Sequence, residues 1–148
     1  MLLLMRVGNE RLFVRFEFKE AVPEHLPGAT VISCSVEIYC DGSGGRIESV
    51  WFSREDIDRF LSELRILEGS RKGSANLANL GSLSGDNPLR FEIHSIDNAG
   101  HYAVRADLSK FNYLGEDIES LKISVSFSID DGDLSPILIG FRKLFDCK

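Results

Sequence analysis

The stretch Val50-Trp51-Phe52-Ser53-Arg54-Glu55-Asp56-Ile57 decides how the chain is read. Up to Phe52, apolar and polar residues alternate as in half-buried strands. From Ile57 they recur at helical spacing, as Ile57, Phe60, Leu61, Leu64 and Leu67. Ser53 stands at the join, where its hydroxyl can accept from the orphan amides of a first helical turn. Asp56 takes the acid position of a capping box, and Gly69 is placed to end the helix. A helix is expected over 53–68, and its single apolar face requires a sheet to lie on.

On the N-terminal side, Leu2 to Val7 and Leu12 to Lys19 read as strands joined at Gly8-Asn9. Leu12, Val14, Phe16 and Phe18 face one way, with Arg15, Glu17 and Lys19 on the other face. Glu20 to Gly28 holds Pro23 and Pro27 and is expected to be a loop. Thr30 to Cys40 follows as a long strand with Ile32, Cys34, Val36, Ile38 and Cys40 inward. Asp41 to Gly45 turns it into a strand over Arg46 to Phe52.

Beyond the helix, Gly69 to Pro88 is rich in Gly, Ser, Asn and Leu and fits no single period. A structureless loop of that length is unusual in a compact domain, so a short strand or turn is expected within it. Leu89 to Ser95 and His101 to Leu108 form a hairpin. Pairing Ile96 with His101 sets Glu92 opposite Arg105 and Arg90 opposite Asp107, whereas a slip of two residues would oppose Glu92 to Asp107. Leu121 to Ile129 alternates cleanly, with Lys122 and three serines outward. A second helix is expected over 134–146, with Pro136 in its first turn and Leu134, Ile137, Leu138, Phe141 and Phe145 as its stripe.

The fold class is therefore α+β: a single antiparallel β-sheet with two amphipathic helices, about 53–68 and 134–146, packed on one face. No internal repeat and no dividing linker is legible, so 1–148 reads as a single domain. A chain of 148 residues with 43% hydrophobic and 27% charged content can bury its own core without disulfides or metals.

Charge and cysteine usage exclude some functions. Acidic residues outnumber basic ones, 23 to 17, for a net charge of -6. Such a surface repels phosphate backbones, so no nucleic-acid ligand is expected, while a basic protein partner would be attracted. Cys34 and Cys40 are too far apart along one strand, roughly 20 Å, to bridge. Three unclustered cysteines point to a reducing compartment, and the apolar start Met1 to Met5 is too short for a signal peptide or a membrane span. A cytoplasmic location and no membrane partner are expected.

A search for chemistry returns no constellation. His25, His94 and His101 lack metal-site spacing, and no cysteine pair has a zinc-type gap, so no metal and no cofactor are expected. Gly42-Ser43-Gly44 runs from strand to strand, without the spacing of a nucleophile elbow or the helix of a phosphate loop. Glu55, Asp56 and Asp58, like Asp130, Asp131 and Asp133, sit where helix starts favour acids. Glu116, Asp117 and Glu119 have no such explanation and read as an acidic loop between Leu114 and Leu121. No catalytic residue is nominated.

The order of these elements carries a resemblance. Two edge strands, a long strand, an aromatic-ended strand and Ser-x-x-Asp lead into a helix with Ile57, Phe60, Leu61, Leu64 and Leu67. They are followed by Leu89-Arg90-Phe91-Glu92-Ile93, the Gly100 turn and Tyr102 to Leu108. The Phe127 strand and a helix with Leu138, Phe141 and Leu144 close the series. The whole resembles the WapI-like immunity proteins of bacterial polymorphic-toxin systems. The resemblance implies a non-enzymatic cytoplasmic protein that binds and neutralises a cognate toxin domain by occlusion. A basic toxin would suit the acidic surface, with Glu116, Asp117, Glu119, Asp130 and Asp131 as its partner-binding residues. The alternatives are a protein-binding or structural module of a bacterial assembly, or a small ligand-binding protein or enzyme.

Overall fold

The computed structural model describes residues 3–23, 30–80, 88–114 and 117–146. Over 110–114 and 117–121 only the backbone enters the description. Glu116, Leu83, Cys147, His25 and the Pro27 end of the expected loop lie outside the described residues.

Eight strands and two helices follow in the order β1 (Leu4–Gly8), β2 (Leu12–Pro23), β3 (Thr30–Cys40), β4 (Ser43–Ser53), α1 (Arg54–Ser70), β5 (Ser74–Leu77), β6 (Leu89–Ser95), β7 (His101–Leu114), β8 (Asp117–Asp130) and α2 (Asp131–Phe145). The architecture is α+β with two helices, but the strands form two four-stranded antiparallel sheets, ordered β1-β2-β3-β4 and β5-β6-β7-β8. The expectation of one sheet fails because β4 runs straight into α1. The chain that returns pairs with β6, not with β4. Strand parity reports which face is buried, and it is the same for one sheet or two.

The two sheets also correct the reading that the chain has no repeat. Each half is a four-strand meander followed by a helix. The buried stripes match position by position: Ile57 with Leu134, Phe60 with Ile137, Leu64 with Phe141 and Leu67 with Leu144. Phe16 of β2 has its counterpart in Phe91 of β6, and the two rings meet edge to face at 5.2 Å. Contacts between elements obey the same exchange. α1 lies mainly on β5 and also touches β6 of the second sheet, α2 lies on β1 and β2 of the first, and β3 meets β8 and β4 meets β7. Fewer contacts tie each helix to its own sheet, α1 to β3 and β4 and α2 to β8. Each half thus lends its helix to the other's sheet, and neither half closes a core alone.

Phe141 is the hub of that shared core. Its ring meets Phe60 at 5.0 Å, Phe16 at 5.2 Å, and Phe91 and Phe145 at 5.8 Å. All five rings are buried. Aromatic pairs contribute about 0.5–1.5 kcal/mol each beyond the area they bury. A further link crosses between the sheets: Asn79 Nδ2 donates to the Leu89 carbonyl at 2.5 Å, and the Leu80 amide to the Trp51 carbonyl at 2.8 Å.

Local expectations fare unevenly. The β6–β7 register is the expected one, with Glu92 opposite Arg105, Arg90 opposite Asp107 and Ile96 bonded to His101. Ser53 caps α1, accepting from the Asp56 amide at 3.1 Å. Gly69, however, stays inside the helix, which ends on Arg71 at φ 58. β2 runs past Lys19 to Pro23 through a bulge between Phe18 and Glu20, so the start of the expected loop is strand. The short strand sought within 69–88 is β5. Cys40, expected inward, is exposed because β3 outruns the core at its end. α2 begins at Asp131, so Pro136 lies past the first turn and Gly132 forgoes an amide partner. β8 begins at Asp117, which places Asp117 and Glu119 in a strand and not in a loop.

Candidate docking face

The outer face of the first sheet is built by register. Across its strands run three rows of positions with outward parity: Gly8, Phe13, Tyr39 and Gly44; Arg6, Arg15, Glu37 and Arg46; Leu4, Glu17 and Ser35, the last of which is buried. Phe13 and Tyr39 stack at 5.0 Å with an interplanar angle of 18°. Both flanking places in their row are glycines, so no side chain of that row covers the pair on either side. A Cβ at Gly8 would collide with the Leu12 carbonyl oxygen and one at Gly44 with that of Ile38. Gly8 also holds φ +122, a conformation L side chains rarely adopt.

Arginines surround the aromatic pair. The Arg6 guanidinium lies 5.6 Å from the Phe13 ring centre and that of Arg15 6.0 Å away. Exposed cation–π contacts of this kind contribute about 0.5–1 kcal/mol. Arg15 is also paired with Glu37 at 3.0 Å. Arg46 reaches Glu48 at 3.0 Å and Glu17 at 3.5 Å. Lys19 holds the other oxygen of Glu17 at 3.1 Å. The Lys19 hydrogen bond first, then the charges of Lys19, Arg46 and Arg15, keep the Glu17 carboxyl below its ordinary range. Arg6 has no carboxylate partner among the described residues. On a chain of net charge -6, this face is a patch where cations prevail.

At the β3–β4 end the face opens into a shallow groove of about 220 Å³ lined by Glu37, Tyr39, Ser43, Gly44, Gly45 and Arg46. Small-molecule sites run to roughly 300–1,000 Å³ and enclose their ligand. A single protein side chain is the better match for this groove.

The acids nominated from the sequence lie elsewhere and are not brought together with this face. Asp131 is held by Arg71 at 2.7 Å and accepts from the Tyr102 hydroxyl at 3.3 Å. Burial, and then the Asp131 charge, raise the Tyr102 phenol. Asp130 is the N-cap residue of α2, and its amide donates to Asp133 at 2.9 Å. Asp130 is therefore engaged by its own helix start, and Asp131 by Arg71 and Tyr102. Asp117 and Glu119 pair with Leu114 and Asn112 where the β7–β8 ribbon extends beyond β6.

Among the described residues no group of three or more His, Cys, Asp or Glu side chains is placed to hold a metal ion. His94 and His101 share an outer face, but each sits beside its own carboxylate, Glu92 at 3.0 Å and Asp97 at 2.8 Å. Burial pushes the Cys34 thiol up to about 12, which leaves it without thiolate character at neutral pH. Among the described residues no helix is long and apolar enough to cross a membrane.

Phe13 and Tyr39 were missed in the sequence, although a signal existed. Each is an aromatic ring at the polar-face parity of its strand, where a solvated sheet carries charge and hydroxyls. In comparisons with known proteins, no family model, no curated protein and no solved structure matches the chain.

Proposed function

We propose that this chain is a non-enzymatic binding protein that neutralises a toxin domain in the cytoplasm by covering its active surface. The observation that carries the binding reading is the half-buried Phe13–Tyr39 pair and its arginines on the outer face of an interlocked frame. Tyr, Phe and Arg are the residue types that protein interfaces favour, and a rigid sheet presents them with little ordering cost. The neutralising role rests on the resemblance of the element order to the WapI-like immunity proteins.

Co-expression with toxin domains encoded beside it, scored by growth and by isolation of the complex, tests this reading. Restored growth with a stable one-to-one complex is expected. A stable complex without rescue would leave a docking module and remove the neutralising role. Lethality unchanged beside well-folded protein, with no complex, would sink both.

A further inference from the structure

We infer that the partner docks on the outer face of the first sheet through an apolar side chain and a neighbouring carboxylate. The apolar group enters the groove beside Tyr39, and the carboxylate pairs with Arg6 above the Phe13 ring. This deepens the binding reading above and rests on it.

Three observations select that occupant. The groove has the capacity of one side chain, and the Phe13–Tyr39 pair forms an apolar wall leading to it. Cations in the rows or paired to them, Arg6, Arg15, Lys19 and Arg46, outnumber the carboxylates of Glu17, Glu37 and Glu48. Among the described residues every one of these cations but Arg6 has an acid within reach. The unfilled demand of the face is therefore a single negative charge at Arg6. In an extended partner segment, side chains two residues apart share a face at roughly 7 Å, and an acid beside the apolar residue reaches across the Phe13 ring from the Tyr39 groove to Arg6 on β1.

The face also argues against a nucleic-acid strand. A phosphate chain needs a continuous cationic track, whereas here Glu17, Glu37 and Glu48 interrupt it.

The test titrates the intact protein with the capped tripeptide acetyl-Glu-Ser-Phe-amide, following backbone amide resonances. Shifts centred on Arg6, Phe13, Tyr39, Gly44 and Arg46 are expected at millimolar peptide. The Gln analogue should bind about two- to fivefold more weakly, the size of one exposed ion pair. Arg6→Glu should abolish that preference, and Tyr39→Ala should weaken both peptides alike. Shifts elsewhere, no shifts at about 10 mM peptide, or equal binding of the Gln analogue would overturn the inference. So would oligothymidylate perturbing the same residues at lower concentration.

A toxin that wild-type protein neutralises separates this inference from the reading beneath it. Arg6→Glu with Tyr39→Ala should then lose rescue while remaining folded. If the double variant still rescues, the docking surface is wrong and the function stands. If wild-type protein rescues nothing, the function is wrong, and the peptide titration still decides the surface.

Discussion

The sheet of β1–β4 shows solvent Phe13, Tyr39 and a row of three arginines, while that of β5–β8 shows Ser124, Ser126 and Ser128 beside paired charges. There Glu92 lies opposite Arg105, His94 sits 3.0 Å from Glu92, and Arg105 Nε is 3.6 Å from Asp107. The inner faces repeat one another far more closely. Val14 and Phe16 correspond to Leu89 and Phe91, and the two helical stripes superpose in spacing. Positions facing the other half must fit a shared, close-packed interior, so volume and polarity are fixed there. Outward positions need only remain soluble, and the first half has used that latitude for a surface with the residue types of an interface.

If the halves are one interlocked unit, the heaviest damage comes from the residue both share. Phe141→Ala removes the ring that touches Phe16, Phe60, Phe91 and Phe145. It should cost about 3–5 kcal/mol, a large part of a domain's stability. Trp51, the chain's one tryptophan, reports on the first half from β4, whereas Phe141 belongs to the second. Urea unfolding followed by Trp51 fluorescence and by far-ultraviolet dichroism should therefore shift together. A fluorescence midpoint that stays put while helix signal is lost early would show two independent halves.

The inner faces were legible in the sequence because burial imposes a period. Ile57, Phe60, Leu64 and Leu67 announce α1, and the charge pairs Glu92–Arg105 and Arg90–Asp107 fix the β6–β7 register. The second sheet was not legible, since alternation reports a strand's faces and not its neighbours. The repeat was hidden for a related reason: equivalent core positions share volume and polarity but seldom identity, as Phe60 and Ile137 show. The candidate docking face was half legible. Its charges stand out in the Arg15-Glu17-Lys19 alternation, but the stacking of Phe13 on Tyr39 depends on the β2–β3 register. The acids of Asp130 and Asp131 misled because Arg71, which neutralises Asp131, is brought to it only by the packing of α1 against the second sheet.

The two helix starts differ at a smaller scale. In α1 the N-cap side chain provides the bond, Ser53 Oγ accepting from the Asp56 amide at 3.1 Å. In α2 the acid reaches back, Asp133 accepting from the Asp130 amide at 2.9 Å. Ser53→Ala and Asp133→Ala each remove one such bond and should each cost about 1 kcal/mol. Because the helices sit on each other's sheets, both losses should lower the same single thermal transition. Either variant melting at the wild-type temperature would mean that its box contributes nothing.

The smallest effect belongs to the second half alone. At the β6–β7 turn a hydrogen bond to Asp97 first, then the Asp97 and Asp130 charges, raise the His101 imidazole above its ordinary value. The Ala99 amide and His101 lower Asp97 in turn. Since the folded pKa of His101 exceeds the unfolded one of about 6.5, its contribution is complete below that pH and fades as pH rises through the raised value. Asp97 behaves oppositely: its contribution is present above about 3.9 and fades as pH falls through its lowered value. Both groups are exposed, so water and salt screen the pair and the slope is shallow. Denaturant midpoints of wild type and His101→Gln, compared from about pH 6 to 8, should converge as pH rises. Parallel curves would mean that the pair does not report on folding.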